Sequence, residues 1–396
     1  MPRCGPEPAP AWQLKDTRGY RMMQFISGFG TYVLPFLVIL TILVFVHELG
    51  HFWVARRNGV KVEVFSVGFG PELVGWTDRK GTRWRLSLLP LGGYVRMMGD
   101  GDVASVTKGP VADSERQHSL FAKPVGQRAA ISAAGPAANF IFAIIVLAIL
   151  FATAGRPFTP PTADQVVEDG ATAAAGIQAG DRFLTVDGRP VARFEELQRI
   201  VQDSPGRPLA VEIRRGEQVI AMSVTPRASE VTDRFGTTRK VGLLGVRSLK
   251  VETRRDSPLT AVWNAFGETW NLTVGTLKAL GQIIAGTRGS EELGGPLRIA
   301  QMSGEVAQGG IVATLWFMAI LSINLGLINL FPVPVLDGGA LVFYAAEALR
   351  GRPLGEKAQE YAAMVGLALV LALMVFATWN DLVHLKVVDF IGRLFT

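Results

Sequence analysis

The stretch Tyr32-Val-Leu-Pro-Phe-Leu-Val-Ile-Leu-Thr-Ile-Leu-Val-Phe-Val46 runs without a break into His47-Glu48-Leu49-Gly50-His51-Phe52-Trp53. On a helix, histidines at i and i+4 lie on one face. His47 and His51 therefore converge on one point and can share a tetrahedral zinc ion, with Glu48 facing the water that such an ion activates. The apolar run is long enough to enter a hydrocarbon layer of about 30 Å, and Arg56-Arg57 stops it. At about 1.5 Å of rise per residue His47 lies roughly 13 Å from Arg56, inside the membrane on the arginine side. Ionisable groups at that depth mark function. Residues 25–56 thus read as a first transmembrane helix that carries a metal site.

The rest of the composition agrees with a membrane protein that also has polar parts. Of 396 residues, 49% are apolar and 19% charged, too hydrophobic for one soluble domain and too charged to lie wholly in lipid. The net charge of +6 raises the question of nucleic acid, but no basic patch interleaved with aromatics is present. Twelve Lys/Arg against seven Asp/Glu between Arg56 and Arg128 instead mark a cytoplasmic loop between two apolar spans. Cys4 is the only cysteine, so no intramolecular disulfide or cysteine cluster is available. Residues 1–24 form a polar, Pro-rich tail, in which Met22 is an alternative start of translation. The apolar run after it reads as an uncleaved anchor, because cleavage there would destroy the metal motif.

Downstream, residues 57–125 show short alternating runs such as Val60-Lys-Val-Glu-Val64 and Arg83-Trp-Arg-Leu-Ser87, which predict β-hairpins. Leu89-Pro-Leu-Gly-Gly-Tyr-Val95 is apolar enough to dip into the membrane against the metal site and offer an edge strand to an unwound substrate. A second span covers 126–155. It opens with Ala130-Ile-Ser-Ala-Ala-Gly-Pro-Ala-Ala-Asn139, a small-residue face suited to close helix packing, with Asn139 placed to donate a hydrogen bond towards the site.

After a Pro157–Pro161 linker, residues 162–228 read as a small globular domain. Residues 256–287 predict a helix lying along the membrane interface, with a polar stripe of Asn264, Glu268, Asn271, Lys278 and Gln282 opposite Trp263, Phe266 and Trp270. A third span, 311–334, ends in Asn329-Leu-Phe-Pro-Val-Pro-Val-Leu-Asp337-Gly-Gly339. Asp337, in an apolar setting that His118 and His384 lack, is the candidate third zinc ligand. Residues 335–360 read as a cytoplasmic-side loop, 361–380 as a fourth span and 381–396 as an amphipathic tail.

Within 162–228, the run Gly180-Asp181 to Val186-Asp187-Gly188 resembles a PDZ domain, a module that grips peptide ends by strand addition. Taken together, the intramembrane His-Glu-Leu-Gly-His, the Gly-Pro-x-x-Asn at 135–139 and the Asn-x-x-Pro-x-Pro-x-Leu-Asp-Gly at 329–338 resemble the site-2 protease family, in particular its bacterial regulator of sigma-E protease type. The resemblance covers nearly the whole chain from Phe25 onward. It implies a multi-pass α-helical membrane protein with about four transmembrane helices, a membrane-associated β-hairpin region and an inserted α+β PDZ-like domain.

By the same resemblance, His47, His51 and Asp337 correspond to the zinc ligands and Glu48 to the catalytic glutamate, and Asn329 falls where the family has a substrate-positioning or oxyanion-binding asparagine. It implies an intramembrane zinc metalloprotease of the bacterial inner membrane, with the PDZ-like domain extracytoplasmic. The expected substrates are single-pass membrane proteins of the anti-sigma-factor type, trimmed first by a site-1 protease. Two features depart from the family pattern: Ala340 stands where histidine often follows the Asp-Gly-Gly, and one PDZ-like domain is present where the best-studied relatives carry two. Two other classes compete. A catalytically inactive membrane scaffold displaying a PDZ domain would not need an intact ligand set with its glutamate, and a di-iron oxygenase would need more histidines than the four present.

Overall fold

The computed structural model describes residues 29–384, apart from 103–104, 109–112, 168–169, 233–237, 251, 288 and 290–293. Cys4, the tail 1–24 and residues 385–396 of the expected C-terminal tail lie outside the described residues. Two compact units divide the chain, residues 1–147, 266–276 and 291–396 in one, residues 148–265 and 277–290 in the other.

Among the described residues four helices are long and apolar enough to cross a membrane: Gly30–Arg57, Val125–Thr153, Ile311–Asn329 and Lys357–Val383. The first contains α1 (Leu34–Arg57), preceded by a π-helical turn at Phe29–Val33. Its last turn is closed by Asn58, whose side-chain amide donates to the Val54 carbonyl at 2.8 Å, while Arg56 and Arg57 complement the helix dipole. The other spans are α2 (Val125–Thr153), α7 (Ile311–Asn329) and α9 (Glu356–His384). In a lipid solvent only helices satisfy their own backbone groups along such runs.

Absent side chains let these helices pack closely. A Cβ on Gly50 of α1 would collide with the Ala134 carbonyl of α2 and sit 2.7 Å from Ala138 Cβ, and one on Gly326 of α7 would sit 3.0 Å from the Pro136 carbonyl oxygen. Ile39, Leu43, Phe317 and Met318 form the apolar seam of α1 and α7.

Strands β1 (Val62–Thr77) and β2 (Arg83–Met97) build a long hairpin that doubles back on itself. Residues 64–67 pair with Arg96 to Gly93 on one side and with Arg83 to Leu86 on the other. Phe52 of α1 meets Phe65 edge-on, and Phe65 stacks on Trp84 at 4.3 Å, which seats the hairpin on α1. Arg56 adds a polar clasp by donating to Asp78 and Thr82, and the Trp84 indole also donates to Asp78. Outward-facing Leu73, Val74, Trp76, Leu88, Leu89 and Leu91 leave the hairpin with an exposed apolar surface. The short strands β3 (Asp100–Asp102) and β4 (Ser105–Lys108) follow.

The second unit is α+β. After β5 (Arg156–Phe158), β6 (Gln165–Val166) and the single turn α3 (Ala171–Ala174), a four-stranded sheet takes the order β10-β9-β7-β8, from β7 (Arg182–Val186), β8 (Arg189–Pro190), β9 (Leu209–Arg215) and β10 (Gln218–Val224). Leu197 and Val201 of α4 (Phe194–Gln202) join its core, with Phe183, Val211, Ile213 and Val224.

The two aspartates of the Gly-Asp…Val-Asp-Gly run have structural partners. Asp181 accepts two bonds from Arg215, at 2.8 and 2.7 Å, and one from the Gln178 amide. Asp187, at φ 50°, accepts from the Ala210 amide and from Arg207.

Two expected boundaries need correction, and one helix is additional. The globular unit does not end at residue 228, because β11 (Arg227–Thr232) pairs with β12 (Thr238–Leu243), then β13 (Val246–Arg247) returns to β6 and β14 (Glu252–Arg254) to β5. Leu244 completes its core. Residues 335–360 are not a loop, since α8 (Asp337–Arg350) fills most of them; its Gly338-Gly339 start hides the helical run Ala340-Leu-Val-Phe-Tyr-Ala-Ala-Glu-Ala-Leu-Arg350. A further helix, α6 (Pro296–Gln308), follows α5 (Pro258–Ile284), which starts where Ser257 accepts from the Thr260 amide.

Candidate metal centre

The centre is built where α1 and α2 cross and α8 begins. His47 and His51 are both buried on α1. Asp337, in the first turn of α8, directs one carboxylate oxygen at each imidazole, Oδ2 at 3.1 Å from His47 Nε2 and Oδ1 at 3.4 Å from His51 Nε2. The two Nε2 atoms are 3.2 Å apart.

From α2, three positions one helical turn apart face this group. Ile131 gives its carbonyl to His51 Nδ1 at 2.8 Å, Gly135 leaves room, and the Asn139 amide lies 3.1 Å from His47 Nδ1. Asn139 is fully buried, and Ser322 of α7 donates to its carbonyl at 2.9 Å.

These residues fit a zinc ion. Tetrahedral ligands at about 2.0–2.1 Å from zinc stand about 3.3 Å from one another; here the two Nε2 atoms are 3.2 Å apart, and each has one Asp337 oxygen near it, Oδ2 at 3.1 Å from His47 and Oδ1 at 3.4 Å from His51. Because His51 Nδ1 donates to the Ile131 carbonyl, its Nε2 keeps a lone pair directed into the group. Gly135 is the cradle: a Cβ there would collide with His51 Nε2 and lie 2.8 Å from His47 Cε1.

Asn139 supplies the last sign. Its Oδ1 is buried without a partner while Nδ2 faces His47. The two ends of an amide have nearly the same size and shape, so a half-turn about the last side-chain bond exchanges them in place. Turned over, Asn139 would offer Oδ1 to an Nδ1–H, the tautomer that His47 must adopt to bind a metal through Nε2.

A cavity of about 410 Å³ opens beside the group, lined by Glu48, Tyr94, Val95, Asn329, Val335 and Tyr344 among others. Gly93 of β2 crosses directly over α1, where a Cβ would sit 2.9 Å from Val44 Cγ1 and 3.4 Å from Glu48 Cγ. The glycine-rich stretch 89–95 therefore reaches the metal motif. Phe69 and Tyr94 stack at 6.1 Å to form one wall, and Arg85 caps Tyr94.

All five residues singled out from the sequence, His47, Glu48, His51, Asn329 and Asp337, line this one cavity. Sequence reasoning missed the Ile131 carbonyl, which any residue type would provide. It also missed Arg128, whose guanidinium pairs with Glu347 at 2.6 Å and covers the Tyr344 ring. An arginine at the edge of an apolar span was the available signal for that pair.

The sequence model of Peptidase family M50 matches residues 35–373. A protein of Agrobacterium fabrum named as a zinc metalloprotease is 45% identical over 366 residues, 90% of this chain and 96% of that one. Metalloprotease MmpA of Caulobacter vibrioides is 37% identical, covering 93% and 100% of the two chains. The regulator of sigma-E protease RseP of Salmonella typhimurium is 34% identical, covering 87% and 97%. Among solved structures, a PDZ domain from Listeria monocytogenes matches 23% of this chain at 17% identity, with a TM-score of 0.19 that carries no weight for the fold.

Proposed function

This chain belongs to peptidase family M50 and is a zinc metalloprotease, and we propose that it hydrolyses peptide bonds within transmembrane segments of membrane proteins already trimmed by an earlier cut. The observation that carries this reading is the convergence of His47, His51 and Asp337 at the crossing of two helices of spanning length, with Glu48 on the same cavity.

In this reading His47, His51 and Asp337 hold the zinc. The ion supplies Lewis acidity and makes water a nucleophile near neutral pH. Glu48, next to the ligand pair and on the cavity wall, takes the proton from the attacking water and returns it to the leaving amine. Asn329, on the same cavity, orients the scissile carbonyl. A transmembrane helix must unwind before its backbone can be cut. The β2 segment 93–97, whose one ladder runs to residues 62–67, offers the freed strand an edge beside Glu48.

The placement follows from the same reading. The protein sits in the bacterial inner membrane, with residues 57–125 and 335–360 on the cytoplasmic side, and the exposed Trp263 and Trp270 of α5 lie at the interface. The α+β unit is PDZ-like and extracytoplasmic, where it filters or grips substrates that a site-1 protease has shortened. The substrates are single-pass membrane proteins, and anti-sigma factors are the class suggested by a relative named as a regulator of sigma-E protease.

Replacing the proton carrier tests the chemistry. Glu48→Gln should keep full zinc occupancy while the cleavage rate of a model transmembrane substrate falls by about 10²–10⁴-fold. A rate near that of the unaltered protein would sink the mechanism.

A further inference from the structure

Helix α9 packs on α6 near its C-terminal end and is otherwise largely exposed. From residue 357 to residue 380 Gly366 is its only buried residue, while Met364, Val365, Leu367 and Leu369 on either side of it are exposed. What covers Gly366 is the turn that delivers Asp337. A Cβ on Gly366 would collide with the Pro334 carbonyl oxygen and lie 2.9 Å from Pro334 Cβ.

The residue after Pro334 is strained. Val335 has φ 91°, in the left-handed region that a β-branched side chain avoids. Such a conformation persists only where its surroundings over-determine it. On the far side of the turn Gly338 and Gly339 provide part of that constraint, since Cβ atoms there would collide with the carbonyls of Leu330 and Val333 respectively. The lower end of α9 is fixed separately: Asp381, fully buried, accepts from the Gly295 amide at 2.8 Å and the Arg298 amide at 3.0 Å. With that end held, α9 cannot slide away from the turn.

We propose that Gly366 is a positioning residue for the metal centre: by seating Pro334 against α9 it holds Val335 in its strained conformation and so keeps Asp337 turned towards His47 and His51. The inference rests on Asp337 being a zinc ligand. It gives a role in metal binding to a helix that supplies none of the three proposed ligands.

The test is epistasis in zinc affinity, measured on the purified full chain in detergent by competition with a chromogenic chelator. Gly366→Ala should weaken zinc binding about tenfold, the scale set by one strained residue. Val335→Gly removes the penalty of the left-handed conformation, so alone it should bind zinc at least as tightly as the unaltered chain. Combined with Gly366→Ala it should restore most of the lost affinity. A merely structural part for Gly366 in helix packing would give the first loss without the rescue, and that result overturns the proposal. Unchanged affinity in Gly366→Ala overturns it too. If Gly366→Ala does not fold, Val335→Gly alone decides, and a fivefold weakening there refutes the strained turn. Asp337→Ala runs alongside: unaltered zinc affinity in that variant would place the failure in the ligand assignment and not in α9.

Discussion

Two carboxylates, one in each unit, are treated in opposite ways. Asp181 of the α+β unit is 1% exposed and faces Arg215 with two hydrogen bonds, so its charge is compensated by a group that is always cationic. Asp337 is half-buried, its side chain 20% exposed, and the groups at its two oxygens are imidazoles, one of which already donates its other nitrogen's hydrogen to a carbonyl. Burying a carboxylate is costly unless a countercharge is at hand. The first aspartate carries its own; the second, as a proposed zinc ligand, would gain one when the ion binds. That contrast sets a structural acid beside a proposed ligand without any appeal to motif, and each half of it can be broken separately.

The largest effect should come from Asp337→Ala. Removing a ligand should weaken zinc by more than the 10–100-fold typical of an outer partner, with cleavage lost in parallel, while the α+β unit keeps its stability. Zinc titration and urea unfolding of the same preparation check both parts. Next in size, Asn139→Ala should cost about 10–100-fold in zinc affinity, because His47 loses the group that orients its ring. Asn139→Asp is the sharper variant. If the amide oxygen is what meets His47 Nδ1–H in the zinc-bound protein, a carboxylate there accepts the same hydrogen and affinity survives. If Nδ2 donates instead, the aspartate has no proton to give and affinity falls as in Asn139→Ala.

How much of this was legible in the sequence depends on which part of a residue does the work. His47, Glu48, His51 and Asp337 act through side chains, and their spacing and apolar setting are visible in one dimension. Ile131 acts through a carbonyl, and Gly135, Gly326 and Gly366 act by having no side chain at all, so nothing about their identity announces a partner across the helix crossing. The end of the α+β unit was misread for a related reason. Strands β13 and β14 are two and three residues long, too short for a periodic signal, and their partners β6 and β5 lie far upstream. Helix α8 was hidden by its own glycines, which are there because the chain passes against the Leu330 and Val333 carbonyls.

The structural half of the comparison predicts a smaller effect. Asp181→Ala strips Arg215 of its bidentate partner and the Gln178 amide of its acceptor. Since Arg215 is a third exposed and can turn to water, the loss should be about 2 kcal/mol and not the larger cost of stranding a buried charge. Hydrogen exchange in β7 and β9 should accelerate accordingly, with zinc affinity unchanged. A loss of zinc in this variant would erase the distinction between the two acids.

Acid should produce the smallest effect, and its sign follows from the same partners. Hydrogen bonds from Arg215 hold the Asp181 carboxyl below its ordinary range, outweighing burial, which acts the other way. Burial would likewise raise Asp78, but bonds from the Trp84 indole, the Thr82 and Lys80 amides and Arg56 bring it down to about 2. A carboxylate with a depressed folded value contributes its stability in full above the unfolded value of about 3.9 and loses it as the pH falls through the folded one. These two carboxylates should therefore leave stability unchanged between pH 7 and about 5; the hairpin should then weaken between about 4 and 2, and the α+β unit should weaken in the same direction as the pH falls below about 4. For Asp78, which stays open to water, the contribution is about 1 kcal/mol. Exchange protection of the β1–β2 hairpin in Asp78→Asn, measured at pH 7, should match that of the unaltered chain taken to acid. If acid loosens the hairpin of Asp78→Asn as much as that of the parent, the clasp between Arg56 and Asp78 is not what joins the hairpin to α1, and the aromatic cluster of Phe52, Phe65 and Trp84 must hold it alone.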